Sequence, residues 1–289
     1  MIKADNFLKN DISNILMYGY KDENPRPHWK DGSPAYSLSV NQVIRKYNIS
    51  NGEFPITTLR PQAWKTAIKE ILAIYQAQTN NLDEMKKMGI NWWADWDIGD
   101  GTIGYRYGHT VKRYNLIDKL ITDLKENPFG RRHIMDMWQE QEFSEEPKGL
   151  NPCAFLTMWN VRKINNIYYL DMTLIQRSGD MLCASGGGGV NEIQYAALLM
   201  MISQVCGYNP GIFVHFVQNE QIYERHIDQA KELLNRNSYP LADVYSPMLH
   251  INPIIKDFYQ FTIDDFSMEH YPIDKIKEIN PQLKFELAI

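Results

Sequence analysis

Cys153 is the residue of this chain whose type best suits attack on a carbon atom. It stands in LNPCAF, directly after Pro152 and at the start of an apolar run. A thiol becomes a nucleophile only as the thiolate, which nearby cations stabilise. Arg177 lies on the next predicted strand, and a hairpin could bring the two together. The same cysteine could equally be a small buried hydrophobe. Arg131 and Arg132, in NPFGRRHIMDMW, are paired guanidinium forks that suit a phosphate dianion, although such pairs are commonly only solvated. With Arg177 added, a phosphate site is a consistent reading.

Glu70 lies one turn after Thr66, between Ile68 and Leu72 of a helical stretch. Facing inward, it would have its pKa raised by desolvation and could move protons; facing outward, it merely edges an apolar stripe. Trp92, Trp93 and Trp96 in INWWADW could stack on a planar ligand or simply pack the core. Asn191 stands where a helix N-cap would, before a helix starting near Ile193. Its amide also offers one donor and one acceptor, which match the O4 and N3–H edge of a uracil. Gln221 and Tyr223, in EQIYERHID, could bond a sugar hydroxyl or face solvent. The run SGGGGVN, with four glycines, should occur only where backbone must pass close to something.

These residues are carried by elements that alternate in period. Residues 5–19, 62–78 and 114–126 have the apolar spacing of amphipathic helices, and Pro128 follows the last. IMDMWQ, CAFLTMWNVRK and IYYLDMTLIQRS read as strands, the last two forming a hairpin around Lys163–Asn166. EIQYAALLMMISQVCGY is apolar on nearly every side and predicts a central, buried helix. GIFVHFVQ reads as a strand, and QIYERHIDQAKELLNR as a helix. Helices and strands mix without strict alternation, which favours an α+β fold with a mixed or mostly antiparallel sheet.

At 289 residues, the chain can bury a sizeable core, and no repeat or linker divides it, so one domain over residues 1–289 is expected. Its 44% hydrophobic and 22% charged residues are ordinary for a soluble globular protein. The net charge of −5 argues against a broad nucleic-acid-binding face. Cys153, Cys183 and Cys206 are too scattered for a disulfide framework or a zinc site, which suits a reducing cytoplasm. The N-terminus lacks a signal-peptide core, and no apolar run reaches the roughly 18 residues of a membrane span.

Taken together, the motifs resemble the folate-dependent thymidylate synthase family along nearly the whole chain. They are FPITTLR (54–60), Glu70 in KEI, NWWADW (91–96), GYRYG (104–108), GRRHI (130–134), NPC (151–153), QRSGD (176–180), the Asn191–Tyr195 spacing, IYERHID (222–228) and FTIDDF (261–266). The resemblance implies a homodimer through the sheet and a methyl transfer to C5 of a pyrimidine nucleotide from 5,10-methylenetetrahydrofolate, without a metal. Cys153 would attack C6, and Arg177 would contact phosphate and help activate the thiol. Arg131 and Arg132 would cross the dimer interface to the partner's phosphate. Ser178 and Asp180 would anchor phosphate and base, with Asp180 also facing the folate. Asn191 would read the base edge, and Tyr223 the 3′-hydroxyl beside Gln221. Glu70 would organise water for proton transfer at O4 and C5, and Tyr107 would help remove the C5 proton. Trp92, Trp93 and Trp96 would pack against the folate, and Ala288 and Ile289 would close over it.

The sequence departs from the family pattern in five places. Ala154 and Gln221 stand where histidines are usual, and Leu59 where a folate-contacting lysine is. Lys30 is the nearest match to an N-terminal phosphate arginine. LCASGGGGVN replaces the usual, shorter LGxPFN, so the glycines are expected to reshape the wall between pyrimidine and folate. The glycine loop and the lost histidines leave open a hydroxymethylase of dUMP, dCMP or CMP, and a separate alternative is an inactive nucleotide- or RNA-binding relative. Asn191 and Trp93 favour methylation of dUMP.

Overall fold

The hairpin that carries the candidate nucleophile forms as its sequence predicts. In the computed structural model, which describes residues 2–243 and 245–289, β4 (Ala154–Ile164) and β5 (Ile167–Gln176) pair antiparallel. Asn165 and Asn166 form the two-residue turn with φ of +49° and +63°, the left-handed conformation that asparagine tolerates and a tight hairpin needs. Two further long strands complete the centre of the sheet: β2 (Ser37–Asn48) and β7 (Asn209–Tyr223). Short strands β1 (Tyr20–Lys21), β3 (Ile134–Asp136) and β6 (Gly179–Asp180) lie at the margins. Among the described residues the order is β1-β2-β7-β5-β4-β3, with β6 beside β7. β5 and β7 run parallel, and the other pairs on that path are antiparallel. A separate antiparallel hairpin joins β8 (Met248–Ile251) to β9 (Phe266–Glu269).

The helices are α1 (Lys3–Tyr18), α2 (Trp64–Ile71), α3 (Leu82–Lys87), α4 (Gly108–Tyr114), α5 (Leu116–Glu126), α6 (Glu140–Glu145), α7 (Val190–Cys206), α8 (Ile227–Asn235) and α9 (Ile273–Ile279). α7 is the crossover between parallel strands β5 and β7, and its residues 192–199 are all buried, as its unbroken apolar run requires. It ends at Gly207, whose φ of +77° makes the left-handed C-cap. α2 continues into a wide π turn over Leu72–Gln76, so the helical stretch predicted over 62–78 is present but changes pitch. No described helix is long and apolar enough to cross a membrane.

Three expectations are corrected. The helix predicted over 221–236 starts at Ile227, because Gln221 and Tyr223 extend β7 and pair with Ser39 and Ser37. The strand predicted over IMDMWQ stops at Asp136, whose carboxylate accepts the Trp138 N–H and turns the chain. Asn191 is no N-cap: Gly189 caps α7, and Asn191 lies inside its first turn. The sequence reading also missed β2, whose alternation is masked by a fully buried charge, Arg45.

Candidate active site

The β4–β5 register sets Ala154 opposite Gln176, which places Cys153 and Arg177 side by side just beyond the paired ends. Arg177 Nη2 lies 3.6 Å from Cys153 Sγ. The guanidinium is fixed there by donating to the backbone oxygens of Pro152 (2.9 Å) and Asn151 (2.8 Å), and it lies over the Trp138 ring. The Arg177 N–H also donates to the Cys153 carbonyl at 2.9 Å. Burial raises the thiol above its ordinary value, while Arg177 and then Arg26 pull it down. The resting sulfur is therefore a thiol with two cations beside it.

Cys153 opens into a cleft of about 1270 Å³. Pockets for one small ligand run to roughly 300–1,000 Å³, so this cleft is larger than a single small ligand needs. One wall is built by the ends of β5, β6 and β7. Ser178 Oγ donates to Gln221 Oε1 (3.4 Å), and Gln221 Nε2 donates to the Tyr223 hydroxyl (3.3 Å). Asp180 accepts the N–H groups of Leu182 and Cys183, both at 3.2 Å, which starts the turn towards α7. Asn191, on the first turn of α7, projects into the same space and donates to Gln194 Oε1 at 3.1 Å.

The lining contributed by α2 and the tryptophan segment is largely apolar, with Glu70 set into it. α2 buries Glu70, which accepts the indole N–H of Trp92. Burial lifts its pKa to about 7, partly offset by Trp92, Gln194 and Trp93. A carboxyl poised there can give or take a proton near neutral pH. Trp93 packs edge-on to Trp96 (5.7 Å) and to Tyr107 (5.1 Å), and all three line the cleft. The Tyr107 hydroxyl accepts the Cys153 N–H at 3.1 Å, and burial holds it well above the ordinary phenol range. Tyr107 pays for this position with φ of +49°, a conformation a bulky residue rarely adopts. Leu287, Ala288 and Ile289 form the rim. Ile289 is tied down by reciprocal backbone bonds with His28 (2.8 and 3.0 Å), and Glu286 by Arg225 (3.0 Å).

The family model for thymidylate synthase matches residues 6–288. The thymidylate synthase of Streptococcus pneumoniae (strain 70585) is 46% identical over 292 residues and that of Streptococcus agalactiae serotype III 45%, each covering 100% of both chains. The solved structure of thermostable thymidylate synthase A from Bacillus subtilis superposes with a TM-score of 0.86 at 35% identity, covering 99% of each chain. The chain belongs to the thymidylate synthase family.

Within this member of the thymidylate synthase family, Cys153, Glu70, Tyr107, Arg177, Ser178, Asp180, Asn191, Gln221, Tyr223, the three tryptophans and the last residues share one cleft. Arg131 and Arg132 do not: both are exposed on the segment leading into edge strand β3, outside the cleft of their own chain. Sequence reasoning missed Arg26, which lines the cleft and acts on Cys153; its flanking prolines in NPRPH, a rigid extended signal, were the available clue. Lys30 is exposed and lies outside the lining. Leu59 is fully buried in the cluster beneath α1.

The glycines do not form the wall between the two halves of the cleft. Cys183, Ala184 and Val190 line it, whereas Gly186 to Gly189 are buried behind them. A Cβ on Gly187 would lie 2.7 Å from Leu8 N, and one on Gly188 2.3 Å from Thr57 N. The glycines let this loop press against α1 and the FPITT segment, not against ligands. Among the described residues, Asp180, Cys183 and His226 bring one potential ligand atom each within 4.8 Å of one another, and burial, with Asp180 beside it, raises the Cys183 thiol above its ordinary value.

Proposed function

We propose that this chain methylates dUMP at C5 to dTMP, with 5,10-methylenetetrahydrofolate supplying both carbon and hydride and leaving as dihydrofolate. The observation that carries the reading is Cys153 Sγ, 3.6 Å from a locked arginine, on the floor of a cleft larger than a single small ligand needs. Cys153 loses its proton and bonds to C6, and the C5–C6 electrons move towards O4, making C5 nucleophilic. Asn191 orients the base edge, and Tyr223 with Gln221 takes the 3′-hydroxyl. Arg177, Arg26 and Ser178 hold the phosphate, whose charge is what two resting cations beside a thiol would otherwise lack. Glu70, with a pKa near 7, passes protons through water at O4 and C5. Tyr107 stays a neutral phenol, so it relays the C5 proton without keeping a charge. Once C5 has bonded to the one-carbon unit and given up its proton, hydride from the folate reaches that carbon, the Sγ–C6 bond breaks, and the departing thiolate takes back a proton.

Methylation is favoured over hydroxymethylation because water must be kept from C5 until the hydride arrives. Trp92, Trp93 and Trp96 wall that side, and the anchored Ala288 and Ile289 close it. These tryptophans, with Asp180 in the same lining, also suit the pterin and aryl rings of the folate.

We assign Arg131 and Arg132 to the phosphate of a second copy, in a homodimer formed through the open face of the sheet. Ile44, Phe216, Ile175 and Leu156 run across that face as one row of cross-strand neighbours, and Val214, Thr173, Met158 and Ile134 as the next. All are exposed or half-buried, an apolar patch that a monomer would leave wet.

Incubation with dUMP and 5,10-methylenetetrahydrofolate tests the reaction. Equal amounts of dTMP and dihydrofolate are expected, and Cys153→Ser should lose turnover by about three orders of magnitude or more. A hydroxymethylated nucleotide without dihydrofolate would overturn the reading.

A further inference from the structure

Behind the cleft, a line of buried polar side chains leads from Arg45 to the base-facing amide. Arg45 and His215 are directly opposed in the β2–β7 register; His215 in turn faces Leu174 of β5, two residues before Gln176. All three polar residues are buried, with Arg45 and His215 fully so. Arg45 Nη2 lies 3.1 Å from His215 Nδ1, His215 Nε2 lies 2.9 Å from Gln176 Oε1, and Gln176 Nε2 donates to the Ser178 carbonyl at 2.9 Å and to Asn191 Oδ1 at 3.4 Å.

We propose that His215, held by Arg45, is a positioning residue that acts through Gln176 to fix the orientation of the Asn191 amide and so to favour a uracil over a cytosine base. The inference rests on the dUMP reading above. Its logic is donor and acceptor matching. The Ser178 carbonyl can only accept, so it must face the Gln176 amide nitrogen. Gln176 Oε1 then points at His215 and needs an N–H there. Arg45 can only donate, so it turns Nδ1 into the acceptor and puts the ring proton on Nε2, where Gln176 requires it. The Glu192 carboxylate, 3.2 Å from the same Nδ1, is already engaged by Arg45 Nε at 2.6 Å and by Tyr47 at 2.6 Å.

The consequence reaches the substrate. With Gln176 so fixed, Asn191 must present Oδ1 to it and Nδ2 to Gln194. One lone pair and one N–H remain for the base, in the order that N3–H and O4 of uracil need. Cytosine presents the reverse, an acceptor at N3 and a donor at N4. Pairing with it would require Asn191 to flip, placing its NH₂ against that of Gln176. Gln176 cannot flip in response, because a carbonyl and an N–H oppose it from two sides.

His215→Phe tests this, since a planar ring keeps the stack on Phe213 (6.4 Å between centroids) but removes the N–H. His215→Gln is the rescue variant, because its amide can still donate to Gln176. Binding of dUMP and dCMP to wild type and both variants is measured by calorimetry, which needs no turnover and is independent of the folate reaction. In His215→Phe the preference for dUMP over dCMP is expected to fall about tenfold, the effect of leaving one buried hydrogen bond unmade. In His215→Gln it should return to near the wild-type ratio. An unchanged preference in His215→Phe, equal losses in both variants, or a wild type that binds both nucleotides alike would overturn the proposal. Failure of wild type to form dTMP while it still prefers dUMP would count against the proposed reaction and leave the relay standing.

Discussion

Glu70 sets two expectations that pull against each other. Its carboxyl is buried on α2, and its pKa is lifted from 4.5 to about 7. The unfolded chain ionises it near 4.5 while the folded one does not, so its contribution to stability is complete below that pH and is lost as pH rises to 7. The loss amounts to up to about 3 kcal/mol at pH 8, before relaxation of the site reduces it. Glu70→Gln should therefore melt higher than wild type at pH 8 and at the same temperature near pH 4. Turnover should drop by about two orders of magnitude or more, as for loss of a proton-transfer group. Thermal melts at the two pH values, beside kcat, check both halves. A variant equally stable at both pH values would mean that the carboxyl is not desolvated. At this scale the sequence was informative where local geometry sufficed. Cys153 and Arg177 met because a two-residue turn fixed their register. Arg26 was hidden because its approach depends on how the segment before β2 folds. His215 was hidden because its partner Arg45 is 170 residues away, in a strand whose buried charge obscured it.

At the scale of elements, the glycine run decides how α7 meets α1. Asp5 of α1 accepts the Thr57 and Thr58 hydroxyls (2.6 Å each) and the Thr58 N–H (2.8 Å), which clamps the FPITT segment to the helix. The loop before α7 then slides beneath that clamp: the Thr57 N–H donates to the Gly188 carbonyl (3.1 Å), and Glu192 accepts the Gly188 N–H (2.7 Å). Gly188, at φ +67°, is the position where both conformation and space exclude a side chain. Gly188→Ala should cost about 2–4 kcal/mol, the sum of strain and overpacking. Because the glycine lies behind the cleft, the fraction that folds should keep the ratio of dTMP to dihydrofolate. Denaturant unfolding and product analysis measure the two separately, and a shift to a hydroxymethyl product would return the loop to the cleft wall. Four consecutive glycines announced a close approach in the sequence. What they approach was not legible, because α1 and residues 54–58 are distant in sequence from the loop and carry no pattern that names it.

Among the described residues, one face of the sheet carries two rows of exposed or half-buried apolar side chains. The α+β class and the central α7 could be read from hydrophobic periodicity, but β2 and the order of the strands could not, since pairing across long separations leaves no local signal. That order has a consequence beyond the single chain. It aligns Met158 of β4 with Thr173 of β5 on one side and Ile134 of β3 on the other, in the middle of an apolar face. Arg131 and Arg132 stand just before edge strand β3 and do not line their own cleft. If a second copy covers this face, the two features are linked: the same contact that removes apolar surface from water carries the arginines to the other cleft. A charge at Met158 should then separate the copies, because an unpaired carboxylate cannot be buried in such an interface. Met158→Glu should sediment as a monomer at concentrations where wild type is a dimer. Its KM for dUMP should rise together with the monomer fraction, since each cleft loses two cations, and Arg132→Ala should raise KM while leaving the dimer intact. A monomeric Met158→Glu protein with wild-type KM would leave the arginines without a phosphate and each cleft complete within one chain.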